Sequence, residues 1–192
     1  MALNRDHVAQ TPDELLSDPI TWFFAEHQRH RQFCDVMQRA SMATTYDETL
    51  VRWLLDFVVH DLALHILDEE EDLFPLMRAR AQHEDEVDKV LDRLQGEHAK
   101  DLTAAAVVRD HLETCLRQQA PISRNNVRRR ALEAFAVQER GHLALENAVV
   151  LPLARLRLTE RDLLDLSNRL AKRRGVTWRP ARRRRPVKAS AP

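Results

Sequence analysis

From Val51 to Ile66 the chain reads VRWLLDFVVHDLALHI, with apolar side chains returning three and four positions apart. That spacing predicts a long amphipathic helix with one face turned inward. The stretch that follows, HILDEEEDLFP from His65 to Pro75, places a histidine and five acids at the end of this helix. A solvated charged face is the ordinary explanation for such a run. Some of these acids are expected to serve only that.

The same reading along the chain predicts four long helices with short connections. Thr11-Pro12-Asp13-Glu14 reads as a cap and a short helical turn; Asp18-Pro19 reads as a capping acid with proline at the first helical position. The first long helix is expected over about 19–40. The second is expected over about 46–72, after a capping-box pattern at Thr45-x-x-Glu48, and is disturbed at Pro75. The third is expected over about 84–118, ending before Pro121, and the fourth from about Arg124 to about 150, just before Pro152. A shorter fifth helix begins at Thr159 as N-cap and stops at Gly175. No pair of segments reads as strands. The expected fold is all-α: an antiparallel four-helix bundle with a short C-terminal helix and a basic tail. The expected organisation is an N-terminal segment 1–18, the bundle 19–156, the C-terminal helix 157–175 and the tail 176–192.

Composition supports helix, with only 3 Gly among 192 residues and an abundance of Leu, Ala, Glu and Arg. Basic and acidic residues balance at 30 each, but residues 169–192 hold ten Arg or Lys and no acid. The other 168 residues therefore carry a net charge of −10. The Pro- and Arg-rich tail reads as a disordered, solvated end, or as a contact for nucleic acid or an acidic partner on the strength of one RRRR run. No apolar run reaches 18 residues, so no membrane span is expected. The N-terminus shows no apolar signal-peptide core. Cys34 and Cys115 read as reduced, packed thiols, and a cytoplasmic location is expected.

The helical faces sharpen the opening question. With His65 at zero and ~100° per residue, Glu69 falls at about +40° and Asp72 at about −20°, while Glu70 and Glu71 swing to the far sides. Val58 and Leu76 share the His65 face, which is therefore the core face. One His and one Glu, four apart, point inward together. The layout returns 77 residues later at His142-x-x-x-Glu146, again with an apolar residue at +9 and proline at +10. There Phe135 and Val149 share the face. The other two helices each offer one inward histidine: His27 with Phe23 and Cys34, His98 with Leu91, Leu94 and Ala105. Either histidine alone reads as an ordinary hydrogen-bonded core residue. Four buried imidazoles and two buried carboxylates together would be very costly without a cation. Six such ligands exceed one tetrahedral zinc and fit two iron ions bridged by carboxylates; the donor set suits iron or manganese over thiolate-loving metals.

These motifs resemble the hemerythrin-like (HHE cation-binding) domain family over about residues 19–156. They are Glu26-His27, His65-x-x-x-Glu69-Glu70 with Leu73-Phe74-Pro75, Glu97-His98, and His142-x-x-x-Glu146 with Leu151-Pro152. The resemblance implies a bundle holding a non-haem di-iron centre. Glu69 and Glu146 would bridge the irons, with His27, His65, His98 and His142 as terminal ligands. The chain departs from the oxygen carriers of the family. Leu94 and Leu102 occupy the positions where a fifth histidine would pair with His98, and Asn147 stands where the carriers place an aspartate. The pattern is closer to the bacterial four-His, two-Glu branch, which includes iron–sulfur repair and stress-related proteins. Residues 1–18 carry no cysteine, so the repair proteins' short cysteine-bearing N-terminal module is not expected here.

Such a site would bind O2, peroxide or nitric oxide. Three readings stand open: a stress-related redox centre that consumes peroxide in the manner of a peroxidase or catalase, an O2 or NO sensing module without turnover, and iron storage or donation. Of the remaining histidines, His60 is expected exposed, and His30, about 60° from His27, reads as lining the site mouth or, preferably, as packed. His7, His83 and His111 show no constellation. Asp61 and Gln138, one turn before His65 and His142, read as outer hydrogen-bond partners of those rings or as surface polar residues.

Overall fold

The expected caps Asp18 and Thr159 start their helices, and the expected Thr45 cap shifts to Asp47. The computed structural model describes residues 8–177. A short 3-10 turn, Asp13–Ser17, precedes α1, Pro19–Met42, which Asp18 caps by accepting from the Thr21 amide. Pro12, rather than Thr11, stands at the start of the short turn. α2 is one long helix running through Glu48–Asp56, Phe57–Asp61, Leu62–Asp68, Glu69–Leu73 and Phe74–Arg80. Its cap is Asp47, which accepts from the Leu50 amide, and not the expected Thr45 box. α3 spans Val87–Gln118. α4 runs through Asn126–Leu145, Glu146–Val150 and Leu151–Arg157, and Asn125 caps it through two amides. α5, Glu160–Arg173, has the capping box of Thr159 and Asp162. It ends in a Schellman turn: Val176 donates to the Ala171 carbonyl and Gly175 to that of Lys172, with Gly175 at φ +66°. The architecture is the expected all-α antiparallel four-helix bundle with a short C-terminal helix. The Arg-rich run of the basic tail lies outside the described residues.

The prolines neither end nor break their helices. Glu69–Leu73 and Glu146–Val150 are wide π turns, in which the Phe74 amide reaches back to the Glu69 carbonyl and the Leu151 amide to that of Glu146. Each wide turn ends two residues before a proline. Pro75 and Pro152 sit at the start of the next α segment, where a missing N–H does little harm. Each turn also inserts one extra residue into the inward face. The buried positions are therefore Met77, past the first turn, and Val150, at the end of the second, and not the expected Leu76 and Val149.

Two apolar clusters fill the bundle. One gathers Phe33, Leu54, Phe57, Leu112 and Phe135; the other gathers Leu16, Phe23, Phe74, Leu91, Leu151 and Leu166. On every long helix the inward histidine lies between members of the two clusters, as His27 does between Phe23 and Phe33. A polar layer thus crosses the bundle between two dry ones. Among the described residues no helix is long and apolar enough to cross a membrane. Cys34 and Cys115 are free and buried, and burial pushes both thiols up.

Candidate metal centre

The polar layer brings all six sequence-derived residues into one box. His27, His65, His98, His142, Glu69 and Glu146 are each 4 % exposed or less. Their ligand atoms fall into two groups, each lying within 4.8 Å: His27, His65, Glu69 and Glu146, and Glu69, His98, His142 and Glu146. The two carboxylates belong to both groups. Both are the first residue of a wide turn, the point at which the helix can bring an extra residue to its inner face.

Outer partners set the direction of three imidazoles. His27 donates from Nδ1 to Asn147 Oδ1 at 2.9 Å, His98 to Glu70 Oε1 at 2.8 Å, and His142 to Asp101 Oδ2 at 3.0 Å. With Nδ1–H engaged outward, each ring turns an Nε2 lone pair into the box. There the Nε2 atoms of His98 and His142 face each other at 2.9 Å, and His27 Nε2 faces Glu69 Oε1 at 3.2 Å. Two lone pairs at such a distance repel unless a proton or a metal ion sits among them. Both ring nitrogens of His65, Glu69 Oε2 and both oxygens of Glu146 have no hydrogen-bond partner among the described residues. Orphaned buried atoms of this kind are rare in folded proteins. The donor set therefore fits a pair of metal ions.

Electrostatics agree. Burial alone would raise the Glu69 carboxyl, but the surrounding imidazoles of His65, His27 and His98 hold it well below the usual carboxylate range. Burial and the adjacent Glu69 charge raise Glu146. Burial pushes His65 well below its ordinary value. Burial also opposes charge on His142, yet the Glu146 carboxylate and the Asp101 hydrogen bond push it up to about 12. His27 and His98 are raised as well, against their burial, chiefly through Glu69. The metal-free box thus holds protons where metal would sit, and loading must displace them. Adding a divalent metal to metal-free protein at pH 7 in weak buffer is expected to acidify the solution. Apparent affinity should rise with pH, because protons compete for groups whose affinity for them is raised. Anaerobic titration with a pH indicator checks this; uptake without proton release would contradict it.

Several site residues were not legible from helical angles. Glu70, expected on a far side, reaches across to His98. Asp101 and Asn147 were not anticipated as acceptors. The Asn147 amide oxygen holds His27 from the position directly after Glu146. Gln138 acts one step further out than expected, donating to Asp101 at 2.5 Å. Asp61 does not hold His65 but pairs with Arg29 at 2.6 Å. His30 is packed, as expected, but its ring centroid lies 4.4 Å from that of His65, and Nδ1 lies 2.9 Å from the buried Glu139. Glu139, Asp101 and His142 form a third close group on the outer side of the His142 ring. A carboxylate one turn before His142 is the signal that would have suggested Glu139. The motif acids Glu26 and Glu97 stand outside the box, paired with Arg29 and Arg93. His60 is exposed, as expected.

A search of curated proteins finds no match to the chain. Residues 18–154, most of the chain, match the hemerythrin HHE cation binding domain. The matched span contains every residue of the box, and the chain belongs to the hemerythrin HHE cation-binding domain family.

Proposed function

We propose that the box holds two iron ions, with His27 and His65 on one, His98 and His142 on the other, and Glu69 and Glu146 spanning both. The observation that carries this reading is that two four-residue groups share the same two carboxylates. We further propose a redox centre of oxidative or nitrosative stress that meets O2, peroxide or nitric oxide and consumes peroxide, two peroxides giving water and O2 as in a catalase, or one peroxide giving water with two electrons from an external donor as in a peroxidase. Such an iron pair supplies open coordination positions and a two-electron store. The chain's own residues hold the lone pairs inward through Glu70, Asp101 and Asn147. Phe74, stacked on His98 at 5.6 Å, and Phe23, 6.3 Å from both His27 and His65, keep bulk water off the rings. A small diatomic molecule or peroxide suits a layer closed by apolar clusters on both sides. The alternatives are a sensing or binding module without turnover, and iron storage or donation, including iron–sulfur repair.

The deciding experiment mixes anaerobically reduced, iron-loaded protein with O2 in a stopped-flow absorbance cell and then measures peroxide loss. Rapid oxidation followed by peroxide consumption is expected, since Leu94 and Leu102 stand where a fifth histidine would pair with His98. A long-lived, reversible O2 spectrum without peroxide consumption would move the reading to a carrier or sensor. An iron content well above two per chain would move it to storage.

A further inference from the structure

The five acids of the opening run divide into two sets. Glu69 and Glu70 turn to the metal box. Asp68, Glu71 and Asp72 turn to the end of α5. Asp68 is fully buried, and both Arg173 and Arg174 hydrogen-bond to it. Arg173 also donates to Asp72 Oδ2 at 2.7 Å and Glu71 Oε2 at 3.3 Å, while Arg169 reaches Asp72 Oδ1 at 3.2 Å. The Arg174 guanidinium lies 4.2 Å from the Trp22 ring centroid. These contacts grip the wide turn that begins at Glu69. The matching turn on α4, Glu146–Val150, has no acid besides Glu146 for an arginine to grip. α5 itself lies beyond residue 154, outside the family match.

We propose that Arg173 and Arg174 are positioning residues of the metal centre, acting through Asp68 on Glu69. The proposal rests on the reading of Glu69 as a bridging ligand. A wide turn is less favourable than regular α-helix and persists only where its surroundings hold it. Closing it would rotate the two flanking segments against each other by ~100°, the angle of one helical residue. Glu69 would then leave the box. A buried Asp68 without its two guanidinium groups would also pull the turn toward water. α5 thereby ties a segment outside the family domain to the geometry of one bridging carboxylate and not the other.

The test uses the full chain and compares the double variant Arg173→Ala/Arg174→Ala with Asp68→Asn, Arg173→Lys/Arg174→Lys and Arg80→Ala. Arg80 forms a two-pronged pair with Asp162, at 2.7 and 2.9 Å, that anchors the opposite end of α5. Iron release to a strong chelator and amide exchange of the metal-free protein are the readouts. The double variant is expected to release iron about 10-fold faster, the low end of what loss of an outer partner does to a metal site. Its amide exchange should rise over residues 68–75 but not over 146–152. Asp68→Asn should act in the same direction, and the lysine pair should restore part of the loss. Arg80→Ala should leave both readouts at wild-type values. Equal effects of Arg80→Ala and the double variant would show that α5 only covers the bundle, and would overturn the proposal. Should the double variant fail to fold, Asp68→Asn decides: wild-type release and exchange in it overturn the proposal. A wild-type chain that takes up no metal would overturn the site reading and this one with it. Normal uptake with unchanged release in the variants overturns this one alone.

Discussion

Glu69→Ala and Glu146→Ala are each expected to empty both metal positions, lowering iron from about two per chain to near zero under the two-metal reading. Each carboxylate belongs to both four-residue groups, so one substitution removes a donor from both. It also leaves the imidazoles that faced it without a counter-charge in a dry layer. Glu70→Ala is expected to lie between the extremes. Its removal frees the His98 ring but deletes no ligand, and loss of such a partner weakens metal binding by about 10–100-fold. Glu71→Ala should keep full occupancy, because that side chain is 61 % exposed and turns to Arg173, away from the box. Elemental analysis of protein produced with added iron, alongside circular dichroism to confirm helix content, orders the four variants. Equal loss in all four would show that the wide turn does not separate inner from outer acids. Unchanged iron in Glu69→Ala would remove that residue from the centre.

Stripping the metals should lower the melting temperature sharply while leaving the helices assembled. The apolar clusters on either side of the polar layer do not depend on metal. The layer itself does: without a cation, buried atoms of His65, Glu69 and Glu146 keep no hydrogen-bond partner among the described residues. Ligand binding to the folded state alone adds about 4 kcal/mol when free ligand stands 1,000-fold above its dissociation constant. For a chain of this length each kcal/mol moves the midpoint by roughly 2–4 °C. The expected drop is thus about 8–16 °C for each metal position held at that excess. Scanning calorimetry of loaded and chelator-treated protein measures it, and re-addition of Fe(II) should restore the original midpoint. Equal midpoints would mean that the box carries no stabilising cation.

Much of the site was legible because helix periodicity is a local property. Recurring apolar residues placed His27, His65, His98 and His142 on inward faces, and the repeated His-x-x-x-Glu spacing added Glu69 and Glu146 without any knowledge of neighbouring helices. The caps at Asp18 and Thr159 and the stop at Gly175 were legible for the same reason, since their hydrogen bonds close within a few residues. The wide turns were not legible. A fixed angle per residue cannot contain an inserted position, so it put Leu76 and Val149 where Met77 and Val150 are buried. The prolines after those turns read as interruptions because a proline is harmful in a regular helix and tolerated just beyond a wide one.

What the chain alone determined is the helical order, the inward faces and the donor types, because each follows from side chains within a turn of one another. What only the tertiary structure decided is how the acids divide. Glu70 serves His98 on α3, Asn147 serves His27 on α1, and Asp68 and Asp72 serve the arginines of α5. These pairings span 28 to 120 positions in the chain. They depend on the rotation and approach of whole helices, which apolar packing sets collectively. A polar side chain at the edge of a face takes whichever partner that packing delivers.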